Sequence, residues 1–149
     1  VGLKTVPSEL GKHVVFDFGR EGWVYAADGG LIGRRAKVEI EKLDVPFKLY
    51  SVFDAEQKPP AFAPVLAKRV ATYPTDALRR GSTYRLSVKD PSGREIPSRE
   101  EIFTVDAKKP APRTFRFALS DAQGTWTLVL RDIATGLETS ATVGLSCDQ

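Results

Sequence analysis

Methionine is missing altogether from the 149 residues, and cysteine and histidine occur once each. A lone cysteine, Cys147, forms no intrachain disulfide and no cysteine-based zinc site, and it leaves the redox compartment open. Its place two residues from the C-terminus, where chains fray, argues against a Cys–His nucleophile. A Ser-His-Asp relay would have to use His13, yet there is no G-x-S-x-G elbow, and an exposed residue at a strand start is the simpler account of it. Phosphate-binding loops of the G-x-x-x-x-G-K-[ST] and G-x-G-x-x-G kinds are also absent; Gly29, Gly30 and Gly33 lie in turn contexts. No apolar run approaches the roughly 18 residues of a membrane span and no secretory signal is visible, so membrane insertion is not expected. With no methionine the natural initiator is absent, and the expectation is a processed or trimmed piece of a longer protein from which any targeting segment has been cut.

What is present suits a folded β protein. Apolar residues make up 42% and charged residues 28%, and eight Phe, four Tyr and two Trp are available for a core. One globule of this length buries about 68–70% of its unfolded surface, whereas two independent halves would bury nearer 60%, which favours one continuous core or two lobes sharing an interface. The net charge of +3 comes from interleaved signs. The basic doublets Arg34-Arg35, Arg79-Arg80 and Lys108-Lys109 all have acidic residues within several positions. Such a surface is solvated rather than built for nucleic acid, which needs a clustered basic stripe with stacking aromatics.

Two-residue alternation recurs along the chain. After a lead-in over residues 1–12, HVVFDF (13–18) predicts a first strand, 19–22 a turn, 23–27 a second strand and 28–30 another turn. A short strand over 31–34 precedes a charged, half-apolar strand over 36–43, and FKLYSVF (47–53) repeats the pattern behind Pro46. The stretch DAEQKPPAFAP (54–64) breaks the composition and reads as a linker. It sets a soft boundary between an N-terminal β lobe, 1–60, and a β-sandwich, 61–149, unless the two are a single domain. Residues 65–73 favour a strand because Pro64 and Pro74 bracket them closely, although Leu66, Arg69, Val70 and Tyr73 also fit helical spacing. A short helical turn is expected within 76–80.

Tyr84, Leu86 and Val88 then line one face of a strand that ends in the turn Asp90-Pro91-Ser92-Gly93. Trp126, Leu128 and Leu130 repeat the arrangement, with Arg131-Asp132 answering Lys89-Asp90; shared sandwich geometry explains this more simply than duplication. Further strands are predicted at 102–105 after the charged turn 94–101, at 113–119 with Phe115, Phe117 and Leu119 inward, and at 139–145 with Ala141, Val143 and Leu145 inward. Ten or so short strands without a long helix predict an all-β, antiparallel β-sandwich.

No catalytic constellation emerges, and no cofactor or metal ligand set is assigned. Glu39 and Glu41 share a strand face but have Lys37 and Lys42 beside them, as on a solvated surface. Asp90 and Asp132 sit at strand ends, where carboxylates could hold calcium; they are more simply turn formers that accept backbone N–H groups. Trp23 and Tyr25 share a strand face between Gly22 and Gly29-Gly30 and would suit a shallow platform for stacking on sugar, against the plainer alternative of core packing.

The stretches YRLSVKDPSGREIP (84–97) and FRFALSDAQGTWTLVLRDIATG (115–136) resemble immunoglobulin-like or macroglobulin-like β-sandwich modules of large bacterial extracellular proteins, some attached to glycoside hydrolases. The resemblance covers about the second half of the chain, and WVYAADGGLIGRR is more weakly similar to β segments preceding such modules. It implies an immunoglobulin-like C-terminal part, a non-catalytic structural or interaction role, and a secreted or cell-envelope location. The implied partners are neighbouring domains of the same polypeptide or another protein. The alternative is a carbohydrate-binding module using Trp23 and Tyr25. No catalytic residues carry over, and fold analogy alone does not establish a function.

Overall fold

The computed structural model describes residues 13–42 and 48–146. It is all-β with antiparallel pairing throughout; the one helical feature among the described residues is a single 3₁₀ turn, Pro97–Arg99. The strands in chain order are β1 (Val14–Ala26), β2 (Gly30–Ile40), β3 (Tyr50–Phe53), β4 (Val65–Ala67), β5 (Val70–Tyr73), β6 (Thr83–Lys89), β7 (Glu101–Thr104), β8 (Arg113–Arg116), β9 (Gly124–Asp132) and β10 (Glu138–Leu145). The chain forms two compact units. One comprises Val1–Lys58 and Ala134–Leu137, the other Pro59–Ile133 and Glu138–Gln149.

The first unit is a three-stranded sheet in the order β2-β1-β3. The turn expected at 19–22 proves to be an irregularity inside one strand: β1 pairs with β2 up to Asp17 and again from Gly22, leaving four residues of β1 opposite Ala36 alone. The turn chemistry is present, since the Asp17 carboxylate accepts the Gly19 amide at 2.8 Å, but the chain rejoins its partner and makes a bulge. The expected segments 31–34 and 36–43 likewise fuse into β2. Gly22 is needed for close approach, because a Cβ there would lie 2.6 Å from Val52 Cγ1 and 3.0 Å from the Phe53 carbonyl oxygen. Phe16, Val24, Ala26, Val38, Tyr50 and Val52 form the unit's apolar cluster, with Phe16 edge-on to Tyr50 at 4.8 Å. The predicted residues 43–47 lie outside those described.

The second unit places a four-stranded sheet, β10-β9-β6-β7, across one apolar core from a three-stranded sheet, β4-β5-β8. The two strands with the repeated pattern are neighbours: Leu86 opposes Leu130 and Val88 opposes Leu128. Tyr84, Leu86, Val88, Trp126, Leu128 and Leu130 are all buried, so alternation translated directly into a core face. Ala71, Tyr73, Phe115 and Phe117 close that core from the other sheet.

The segment 65–73 is a tight hairpin rather than one strand. Its central residues, Lys68 (φ 47°) and Arg69 (φ 62°), are both left-handed, the geometry of a two-residue type I′ loop usually made by Asn-Gly. Arg69 secures it: its carbonyl accepts the Phe117 amide at 2.8 Å and its guanidinium donates to the Ala118 carbonyl at 2.5 Å. The helical turn expected within 76–80 does not form; the segment is a turn closed by Leu78 N–H donating to the Thr75 carbonyl. Leu119, expected inward, is 90% exposed. Strand β8 ends at Arg116 and the backbone turns through 118–121, where the Asp121 amide donates to the Ala118 carbonyl, so the alternation stops before Leu119.

Candidate functional site

Of the two rings predicted for a sugar platform, Tyr25 is buried and Trp23 is half-buried. Tyr25 is completely buried, its ring set edge-on to Phe53 at 5.7 Å and its hydroxyl accepting the Gln57 amide at 2.6 Å. The cause is a register shift between Val24 and Tyr25, after which consecutive residues Val24, Tyr25 and Ala26 are all buried and simple alternation fails. Trp23 is half-buried, opposite Arg34 on one side and Phe53 on the other. A ring buried like that of Tyr25 offers no face to a pyranose.

A concavity of about 520 Å³ lies in the second unit. It lies along the edge strands β7 and β8, and its lining includes Arg99, Glu101, Thr114, Phe115 and Arg116. Phe115 and Phe117 are inward residues of the β8 side, and the 3₁₀ turn delivers Arg99 between them and Asp121. Arg99 donates to both Asp121 carboxylate oxygens, at 2.5 and 2.7 Å, while its guanidinium carbon sits 5.9 Å from the Phe115 ring centre and 5.8 Å from that of Trp126. Asp121 also accepts the Ala118 amide at 2.7 Å. Arg99 is therefore a wall held by charge-assisted bonds and ring faces rather than an arm free to seize a ligand.

The carboxylates beside this groove face cations. Glu101 lies 3.7 Å from Arg113, which stacks on Phe103 at 4.4 Å, and Glu100 lies 3.8 Å from Arg85. Tyr73 stands behind them. Burial pushes its phenol above the ordinary tyrosine value and Glu101 adds to the rise, against the pull of Arg113. Arg116 makes no ion pair among the described residues and is exposed. The sequence signal for the groove was the charged stretch 98–101, which reads as a turn until the strands on either side are known to be sheet edges.

The two strand-end aspartates differ. Asp90 forms the expected turn: one carboxylate oxygen accepts the Ser92 hydroxyl at 2.5 Å and the Ser92 and Arg94 amides at 3.0 Å. The Ser92 hydroxyl contributes most to holding its carboxyl below the ordinary value, with the two amides and the Arg94 charge assisting. Asp132 is buried and takes Arg79 on both oxygens, at 3.1 and 2.8 Å. The Arg79 amide in turn donates to the Tyr84 hydroxyl at 2.9 Å. Burial is the main cause of the raised Tyr84 phenol, which the Arg79 amide partly offsets.

Elsewhere, the His13 side chain is 57% exposed, 4.0 Å from Glu39, and Glu41 is exposed. Among the described residues no three His, Cys, Asp or Glu side chains converge as metal ligands, and no helix is long and apolar enough to cross a membrane. Cys147 lies outside the described residues. Comparison of the chain with protein-family profiles, curated proteins and solved structures finds no match.

Proposed function

We propose that this chain is a non-catalytic structural or interaction module, an immunoglobulin-like β-sandwich carried by a larger exported bacterial protein. The observation that carries the reading is the state of two largely buried carboxylates: Asp132 and Asp121 are each clamped on both oxygens by an arginine. A general acid or base needs a carboxyl oxygen within hydrogen-bond reach of the substrate. A bidentate arginine instead occupies both oxygens and holds the group in one geometry.

The immunoglobulin-like assignment draws on the seven strands divided four and three and on a corner at the start of β9. There the Trp126 indole N–H donates to the Ala122 carbonyl four residues upstream at 2.8 Å. Immunoglobulin-like sandwiches use a tyrosine hydroxyl for a comparable bond back to the backbone at the start of the sixth strand. The fourth strand, β7, pairs with β6 rather than joining the sheet of β8, and so differs from the constant-type order. The exported location rests on the sequence resemblance, and the partner is a neighbouring domain or another polypeptide.

Photo-cross-linking tests this reading. A photoreactive residue is placed at Ile102 or Leu119, which are 63% and 90% exposed, in the full-length protein within its native cells, and the cells are fractionated after irradiation. The expected result is cross-linking to polypeptide in the envelope or secreted fraction. Absence of any such product at both positions, or recovery of the protein in the cytosol alone, would overturn it.

A further inference from the structure

Among the described residues the sheets end on β2 and β3 in the first unit and on β10, β7, β4 and β8 in the second. An edge strand presents a row of unpaired N–H and C=O groups that templates pairing, and proteins blunt it with short length, charge, proline or bulges. Most of these edges are blunted. Strands β3, β7 and β8 have four residues each and β4 has three. Strand β2 has eleven, but it carries Arg34, Arg35, Lys37 and Glu39 and meets β1 through two register shifts.

Strand β10 is the exception. It runs for eight residues, ETSATVGL, with its sole charge at Glu138 and neither lysine nor proline. It pairs with β9 continuously from Glu138 to Leu145 without a shift; β4 of the facing sheet approaches it, but no described strand hydrogen-bonds to its far side. Val143 and Leu145 point into the core, whereas Ser140, Thr142 and Gly144 are exposed.

We propose that this edge is occupied by a second copy of the chain, β10 pairing antiparallel with β10 about a two-fold axis at Thr142, so that two four-stranded sheets become one of eight. The proposal rests on the reading of the chain as an interaction module. Residues directly opposed in an antiparallel pair lie on the same face, so inward residues must meet inward residues. A two-fold at Thr142 achieves this: Val143 opposes Ala141 and Leu145 opposes Thr139 on the core face, while Ser140 opposes Gly144 and Glu138 opposes Ser146 on the outer face. No like charges meet, and the apolar face continues across the seam. The strand is thus complementary to itself, the requirement of an isologous contact. An acidic or basic partner strand, by contrast, finds no counter-charge between Thr139 and Leu145.

Sedimentation velocity on the whole chain from about 1 µM to about 1 mM spans weak to moderate self-association. The expected result is a rise from monomer to twice the monomer mass. Thr142→Lys and Thr142→Glu should each shift the midpoint to at least tenfold higher concentration, and their equimolar mixture should restore it, since Lys then faces Glu. A thermal melt of each variant shows that it is folded. Independently of those variants, Thr142→Cys in a Cys147→Ser background should oxidise to a covalent dimer, whereas the exposed Thr72→Cys should not. A wild-type chain monomeric throughout, a dimer indifferent to both charges, or failure of the Thr142→Cys dimer overturns the proposal. If it falls while the Ile102 or Leu119 cross-links to another polypeptide persist, only self-pairing is lost; if those fail too, the module reading falls with it.

Discussion

Trp126 shows how one side chain ties the core to the backbone. Its ring is 2% exposed, meets Phe117 edge-on at 5.3 Å and lies under Arg99, while its N–H satisfies Ala122. Trp126→Ala should destabilise the fold by about 3–5 kcal/mol, whereas Trp126→Phe, which keeps an aromatic ring and loses the N–H, should cost less; thermal and urea unfolding would measure both, and an unchanged Ala midpoint would contradict the packing. Asp90 supplies a pH prediction. Its folded carboxyl ionises below the ordinary value of 3.8, so the native state binds the proton less readily than the unfolded chain. Its contribution to stability is complete above the unfolded value and is lost as pH falls through the lower folded value. Carboxyl NMR titration should show the depressed value, and Asp90→Asn should flatten that part of the acid-stability curve.

At the scale of elements, the hairpin β4–β5 has the least expected sequence for its shape. Lys68 and Arg69 adopt left-handed backbone, which costs a non-glycine residue roughly 1–2 kcal/mol. Arg69 recovers part of this through its bond to the Ala118 carbonyl, but Lys68 is exposed. Lys68→Asn should therefore raise stability by about 0.5–1 kcal/mol, because Asn tolerates this backbone better, and Lys68→Val should lower it; calorimetry of the pair checks the sign. The alternation of 65–73 was visible, but the reversal within it was not, because no Asn or Gly marks it. The reverse held at 19–22, where local turn chemistry was visible and only pairing with β2 decided that the chain would bulge and continue. Strands β6 and β9 were the most legible elements, since all six of their alternating large residues are buried on one face.

At the scale of the whole chain, the buried apolar side chains of the described residues, Tyr25 apart, form two clusters. That of the second unit joins both sheets from Ala71 to Leu145, while that of the first has six buried members from Phe16 to Val52. Opening free energy follows local burial and pairing. Hydrogen exchange should accordingly be slowest in β6 and β9, which are paired on both sides and face the larger cluster, and faster in the amides of β2 and β3, the edges of the first sheet. Equal protection in the two units would show that they open together.

By itself the sequence determined the all-β class, because two-residue alternation with closely spaced turn residues suits strands and leaves no helix long enough to form. It also determined which face of β6 and β9 is inward, since burial there follows directly from the pleat. The tertiary structure decided what depends on partners distant in the chain. It buried Tyr25, because a register shift with β2 overrides alternation. It separated Asp90 from Asp132, because Arg79 reaches only the second. It also placed β10 at the edge of its sheet among the described residues, since the order of strands is set by long-range pairing that no local pattern records.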